Sequence, residues 1–166
     1  GYVLQTVTTG SLYFGGRFIA DGSFLNETFN GKHPMANHKS LYIGNGQYVA
    51  ELQAQGLADY LDDTMFLPQR LRLDDGFEVC SIATSDEYIV IGAEKYSTDS
   101  DRGFQAGRIY FWDENSDGPN FFIDCNIGSP RCIYNFANIT YIVVNGALYA
   151  YTGGKELIKV RTMKGT

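Results

Sequence analysis

Apolar residues in this chain come in short alternating runs separated by Gly, Asn, Asp and Ser. That rhythm predicts β-strands joined by tight turns. Leu148–Tyr151 leads through Thr152-Gly153-Gly154-Lys155 into Glu156–Val160. Ile109–Trp112 leads through Asp113–Asn120 into Phe121-Phe122-Ile123, and Leu41-Tyr42-Ile43 leads through Gly44-Asn45-Gly46 into Tyr48-Val49. A glycine-bearing turn between two such runs is the strongest local hairpin signal. Similar tripeptides mark these hairpins, with a further one near the start: Ser11-Leu12-Tyr13, Ser40-Leu41-Tyr42, Arg108-Ile109-Tyr110 and Ala147-Leu148-Tyr149.

A second hairpin precedes each of the last two. Cys80-Ser81-Ile82-Ala83 turns into Tyr88-Ile89-Val90-Ile91-Gly92, and Cys132-Ile133-Tyr134-Asn135 turns into Tyr141-Ile142-Val143-Val144-Asn145. Each unit then reads as four antiparallel strands, the blade of a β-propeller. The expected architecture is all-β: a single domain over 1–166, or a segment of one, with blade-like units at 77–124 and 131–161 and a less regular portion at 1–70. A β-sandwich is the alternative, because alternation alone does not distinguish the two. The Gln53–Gln69 stretch and the Asn30–Lys39 stretch read as loops, the former with a short helical turn. Closed propellers use roughly four to eight blades, so the terminal blades should need cover from further residues, other copies or a partner. The chain opens at Gly1 without a signal-peptide pattern and is expected to be part of a longer one.

Composition sharpens this picture. Twelve Tyr, 11 Phe and 44% hydrophobic residues argue against disorder, and 19 Gly against 4 Pro fit many turns. The net charge is −6, and the 13 Lys and Arg are dispersed. Without a basic cluster to neutralise phosphates, nucleic acid is not an expected partner. No apolar run approaches the roughly 20 residues of a membrane-spanning helix. Cys80, Cys125 and Cys132 show no zinc-type spacing. Buried free thiols are expected, with a Cys125–Cys132 bridge around the Gly128–Pro130 turn as the alternative.

The sharpest local motif is Asp113-Glu114-Asn115-Ser116-Asp117-Gly118, which matches the first half of a calcium loop, with Asp124 at the twelfth position. Asp113, Asn115, Asp117 and Asp124 are therefore the candidate calcium ligands. Against this, an Asp stands where the bidentate Glu belongs, Pro119 and Asn120 break the pattern, and Asp, Asn and Gly also make solvated turns. No other cofactor is expected. Asp99-Ser100-Asp101 and Asp59–Asp63 read as solvated acidic loops, as do the sequons at Asn26 and Asn138 as chance matches. His33 and His38 lack a third ligand nearby. Nothing resembles a nucleophile with its base and orienting group, so no enzyme is expected; paired carboxylates for glycoside cleavage depend on spatial separation alone. The aromatic residues read mainly as core. The Lys95–Gln105 segment reads as a polar loop, Tyr96–Gly103, inserted between two strands; Tyr96, Asp99, Asp101, Arg102 and Phe104 are the candidate interaction loop, with Gln53–Asp63 as a further candidate contact segment.

The order His33-Pro34-Met35, Leu41–Gly46, Leu71–Val79, Tyr88–Gly92, Gly107–Asp113 and Gly146–Gly154 resembles propeller-type repeat proteins of tailed-bacteriophage virions. The resemblance runs from about His33 onward. Phe111-Trp112-Asp113 is also similar to the tryptophan–aspartate dipeptide of another propeller repeat, whose remaining signature this chain lacks. The resemblance implies a structural or adhesion role in a tail, fibre or associated protein. It implies virion or other assembly proteins as partners, a multimeric assembly, and a virion or otherwise extracellular location. A carbohydrate-binding or carbohydrate-cleaving propeller is the alternative function.

Overall fold

The computed structural model describes residues 4–6, 12–14, 17–20, 33–53, 65–97 and 103–163, and among them the chain forms only strands. In chain order β1 (Leu4–Thr6), β2 (Leu12–Phe14) and β3 (Arg17–Ala20) make a three-stranded sheet. Sheet I consists of β4 (Met35–Asn37), β5 (Leu41–Asn45), β6 (Tyr48–Leu52) and β7 (Phe66–Arg72). Sheet II contains β8 (Glu78–Thr84), β9 (Ile89–Tyr96), β10 (Phe104–Trp112) and β11 (Phe121–Asp124). Sheet III contains β12 (Cys132–Phe136), β13 (Ile139–Val144), β14 (Ala147–Tyr151) and β15 (Ile158–Thr162). Every pairing is antiparallel and each sheet runs in sequence order, so each is an open meander. No described helix is long and apolar enough to cross a membrane.

Sheets II and III follow the two expected units closely. Sheet I is a four-stranded meander within the portion expected to be less regular. Its β4 is only Met35-Ala36-Asn37, too short to show a period, and it lies in a stretch read as a loop. Its β7 carries Pro68, which reads as a strand breaker, but β7 is the outer strand of the sheet. There a missing N–H breaks no ladder. Residues 54–64, where a helical turn was expected, lie outside the described residues.

Sheet II buries both of its faces. One packs on sheet I through Ile89, Ile91, Tyr110 and Trp112 against Tyr42, Val49 and Leu71. The other packs on sheet III through Val90, Ile109 and Phe111 against Ile133, Ile142 and Val144. A two-sheet sandwich buries one face of each sheet, so this is a series of stacked sheets instead. The third cluster, Ile43, Ala50, Leu52 and Phe66, lies on the opposite face of sheet I.

The strand registers make the three sheets directly comparable. Ile43 pairs with Ala50, Ile91 with Tyr110 and Ile142 with Tyr149, each with the same neighbours in the pleat. The next residue along the second strand is Gly44 in sheet I, Gly92 in sheet II and Val143 in sheet III. At Gly92 an added Cβ would lie 2.4 Å from the carbonyl oxygen of Pro130 and 2.8 Å from Ile133 of the following sheet. At Gly44 it would lie 2.8 Å from Val79 of the following sheet. Both glycines are therefore points of close approach between successive sheets.

Candidate functional site

The junctions between sheets are built from equivalent positions, yet they differ in what fills them. Between sheets I and II, Trp112 packs edge-on to Tyr42, with ring centroids 5.6 Å apart. The Arg70 guanidinium lies 4.8 Å from the indole centroid. Two residues beyond Trp112, Glu114 turns back with a left-handed φ of 71°. Its carboxylate accepts from the Tyr42 hydroxyl and, at 2.8 Å, from Nδ1–H of His38. Its carbonyl oxygen accepts from Arg70 at 2.7 Å. Burial, and then Glu114 beside it, push the Tyr42 hydroxyl above the usual tyrosine range. Glu51, also buried, stands 4.0 Å from Arg70 and accepts from Gln53 at 2.9 Å. The first junction is thus plugged by a polar network around one tryptophan.

Between sheets II and III the matching positions carry other residues. Tyr42 is replaced by Val90, Glu51 by Phe111, Trp112 by Tyr151 and Glu114 by Gly153, whose φ of 105° keeps the left-handed turn. With no side chain at 153 to fold back, a groove of about 580 Å3 remains. Its aromatic wall is Tyr88, Phe111, Phe121 and Tyr151. Phe111 and Phe121 stack at 4.6 Å and 8°, and Tyr88 meets both edge-on. The rim holds Asp86 and Glu87 from the turn before β9, and Asn138 from a β12–β13 turn whose two residues, Ala137 and Asn138, both have positive φ. Asn135 and Thr140 also line the groove; Thr140 donates to Asn135 Oδ1 at 2.6 Å, and Asn135 Nδ2 is buried with no hydrogen-bond partner.

Sheet III turns its other face outward. Cys132, Tyr134 and Phe136 of β12 pair with Val143, Tyr141 and Ile139 of β13, and all six share that face. Tyr134 is 70% exposed and Phe136 67%. On β15, Ile158 and Val160 are exposed as well, alternating with Lys159 and Arg161. Composition alone assigns such aromatics to a core; here they form the apolar surface of the last sheet.

The residues singled out from sequence distribute as follows. Asp113 caps its own turn: Oδ1 accepts from the N–H of Asn115 at 2.9 Å and of Ser116 at 3.0 Å, and Oδ2 from Asn120 at 3.1 Å. These donors, the backbone N–H groups first, hold its carboxyl down at about 2. Asp124 sits beside Arg108 at 3.6 Å. Among the described residues no three His, Cys, Asp or Glu side chains form a metal-holding group. Because the folded value is depressed, Asp113 contributes stability above its ordinary 3.8 and loses it as pH falls toward about 2. Melting temperature measured across that window is expected to fall less steeply for Asp113→Asn than for the wild type.

Tyr96 and Phe104 are a cross-strand pair with ring centroids 6.2 Å apart, at the opposite end of sheet II from the groove. The Tyr96 hydroxyl accepts from Arg131 at 2.7 Å, and Arg131 also grips Glu94 at 2.8 and 3.2 Å. Asp99, Asp101 and Arg102 of the candidate interaction loop lie outside the described residues, as do Asp59–Asp63 and Asn26. The histidines are apart in function: His33 is buried with Nδ1–H donating to Gly44 O at 2.8 Å, while His38 serves Glu114. All three cysteines are free thiols; Cys125 is buried, but Cys132 is exposed on the outer face of sheet III, contrary to the expectation of burial. Burial raises the Cys80 and Cys125 thiols above their ordinary range.

Fold and junctions together define an all-β protein of serially stacked, four-stranded antiparallel sheets. The chain matches no protein-family model and no curated protein.

Proposed function

We propose that this chain is a segment of a β-propeller that serves as a structural or adhesive component of a particle, of the kind formed by phage virions, and acts by protein–protein contact. The observation that carries the reading is the outer face of sheet III, where Tyr134, Phe136 and Tyr141 stand on a surface equivalent to the one sheet II buries. Contiguous apolar patches of this kind mark contact surfaces. The propeller is supported by the meander of each sheet and by the side-by-side packing of the first strands, β4 on β8 and β8 on β12. Blades around an axis bring their first strands together in this way. On this reading the outer face is covered by a further blade or by another structural protein of the same assembly, and no catalysis is invoked.

Photo-crosslinking from position 134, in the assembly purified from its source, tests this. A crosslink to a second structural protein is the expected result, and it should vanish when Phe136 is replaced by Lys. Crosslinks confined to solvent adducts, in an assembly that contains the chain, would overturn the reading.

A further inference from the structure

We infer that the groove between sheets II and III is a binding site for a neutral carbohydrate. The argument begins from the comparison of the two junctions. The first is closed by Glu114, whose side chain returns to Tyr42 and His38. The second has Gly153 at that position and Val90 in place of Tyr42, so the same cleft stays open. Its volume of about 580 Å3 falls within the usual range of ligand clefts.

The lining matches one ligand chemistry. A pyranose ring presents C–H groups on its faces and hydroxyls around its edge. Phe121, 37% exposed and backed by Phe111 at 4.6 Å, offers a flat apolar platform for a ring face. Asp86 and Glu87 are acceptors at the rim, and ionised acceptors make the stronger hydrogen bonds to hydroxyls. Asn138 contributes an amide with both donor and acceptor. Asn135, whose Nδ2 is a buried donor without a hydrogen-bond partner, adds a further amide to the groove wall. Among the described residues no Lys or Arg lines the groove, and its two carboxylates disfavour sialylated, sulfated or phosphorylated sugars. An apolar peptide would leave the same carboxylates and amides without partners.

The test is a glycan array carrying neutral gluco-, manno-, galacto- and N-acetylglucosamine oligosaccharides beside sialylated and sulfated ones. Calorimetric titration of the strongest neutral ligand into purified variants follows. Binding to a neutral oligosaccharide is expected, with affinity reduced about tenfold or more by Phe121→Ala, a loss equal to one stacking contact. Asp86→Ala combined with Glu87→Ala, on an exposed turn that does not carry the core, should reduce it similarly. Phe122→Ala is the control: the neighbouring side chain points to the other face and packs on Arg108 at 4.1 Å. It should leave affinity within about twofold. Circular dichroism establishes that each variant is folded. Binding only to anionic glycans, no binding to any neutral one, or undiminished affinity in both groove variants would each overturn the inference.

Discussion

Trp112→Ala is expected to lower the free energy of unfolding by about 3–5 kcal/mol, the range seen when a large aromatic is removed from a core. Trp112 is fully buried and belongs to the cluster that joins sheets I and II. Three separate contacts fail together in the variant. The edge-on packing with Tyr42 is lost, as is the Arg70 guanidinium over the ring. The third is the bond from Nε1–H to Ser116 O at 2.8 Å, which pins the β10–β11 loop. With that loop released, Glu114 no longer has a fixed place from which to meet Tyr42 and His38. Urea unfolding followed by circular dichroism measures the change. Trp112→Phe restores the ring but not the N–H donor, and should recover more than half of the loss. A loss below about 1 kcal/mol for the alanine variant would show that the two sheets do not share a continuous core.

Gly92→Ala is expected to cost about 3 kcal/mol, at the upper end of what an added methyl costs in a packed interior. The reason is the identity of the obstacle. The new Cβ would come within 2.4 Å of the Pro130 carbonyl oxygen, a backbone atom that moves only if the whole start of β12 moves. Ser81, whose hydroxyl donates to that same Pro130 oxygen, would be displaced too. The substitution therefore acts on the distance between sheets II and III rather than on one side chain. Gly118→Ala is the matched comparison, because an added Cβ there meets nothing within 4 Å. It should change stability by less than about 0.5 kcal/mol. Equal effects at the two positions would mean that sheets II and III do not approach closely at residue 92.

The regular half of the molecule was legible because its strands are apolar runs that stand out between turn residues. Tyr88–Gly92 and Tyr141–Asn145 are such runs, and β9 and β13 form on them. Sheet I hid itself behind a three-residue strand and an edge proline, both of which look like loop when read locally. The calcium-like motif can be read in two ways from sequence. Asp, Asn and Gly spacing is shared by ion loops and by turns that satisfy their own N–H groups, and Asp113 does the latter. The residue that matters most in that motif is its filler. Glu114 reaches Tyr42, 72 positions earlier, a pairing that no local pattern encodes. One signal was present: aligning the repeats sets Glu114 against Gly153, each two residues after the large aromatic of the third strand. The aromatic wall of the groove is likewise spread over residues 88 to 151 and gathers only when the sheets stack.

The residue at position 143 differs in kind from its counterparts in the two preceding sheets. The two internal steps of this stack each use a glycine, Gly44 or Gly92, to admit the backbone of the next unit. The third step would meet the branched side chain of Val143, paired with Cys132 on the outer face. A branched side chain therefore stands on the outer face of sheet III at the position where sheets I and II carry the glycines that admit their neighbours.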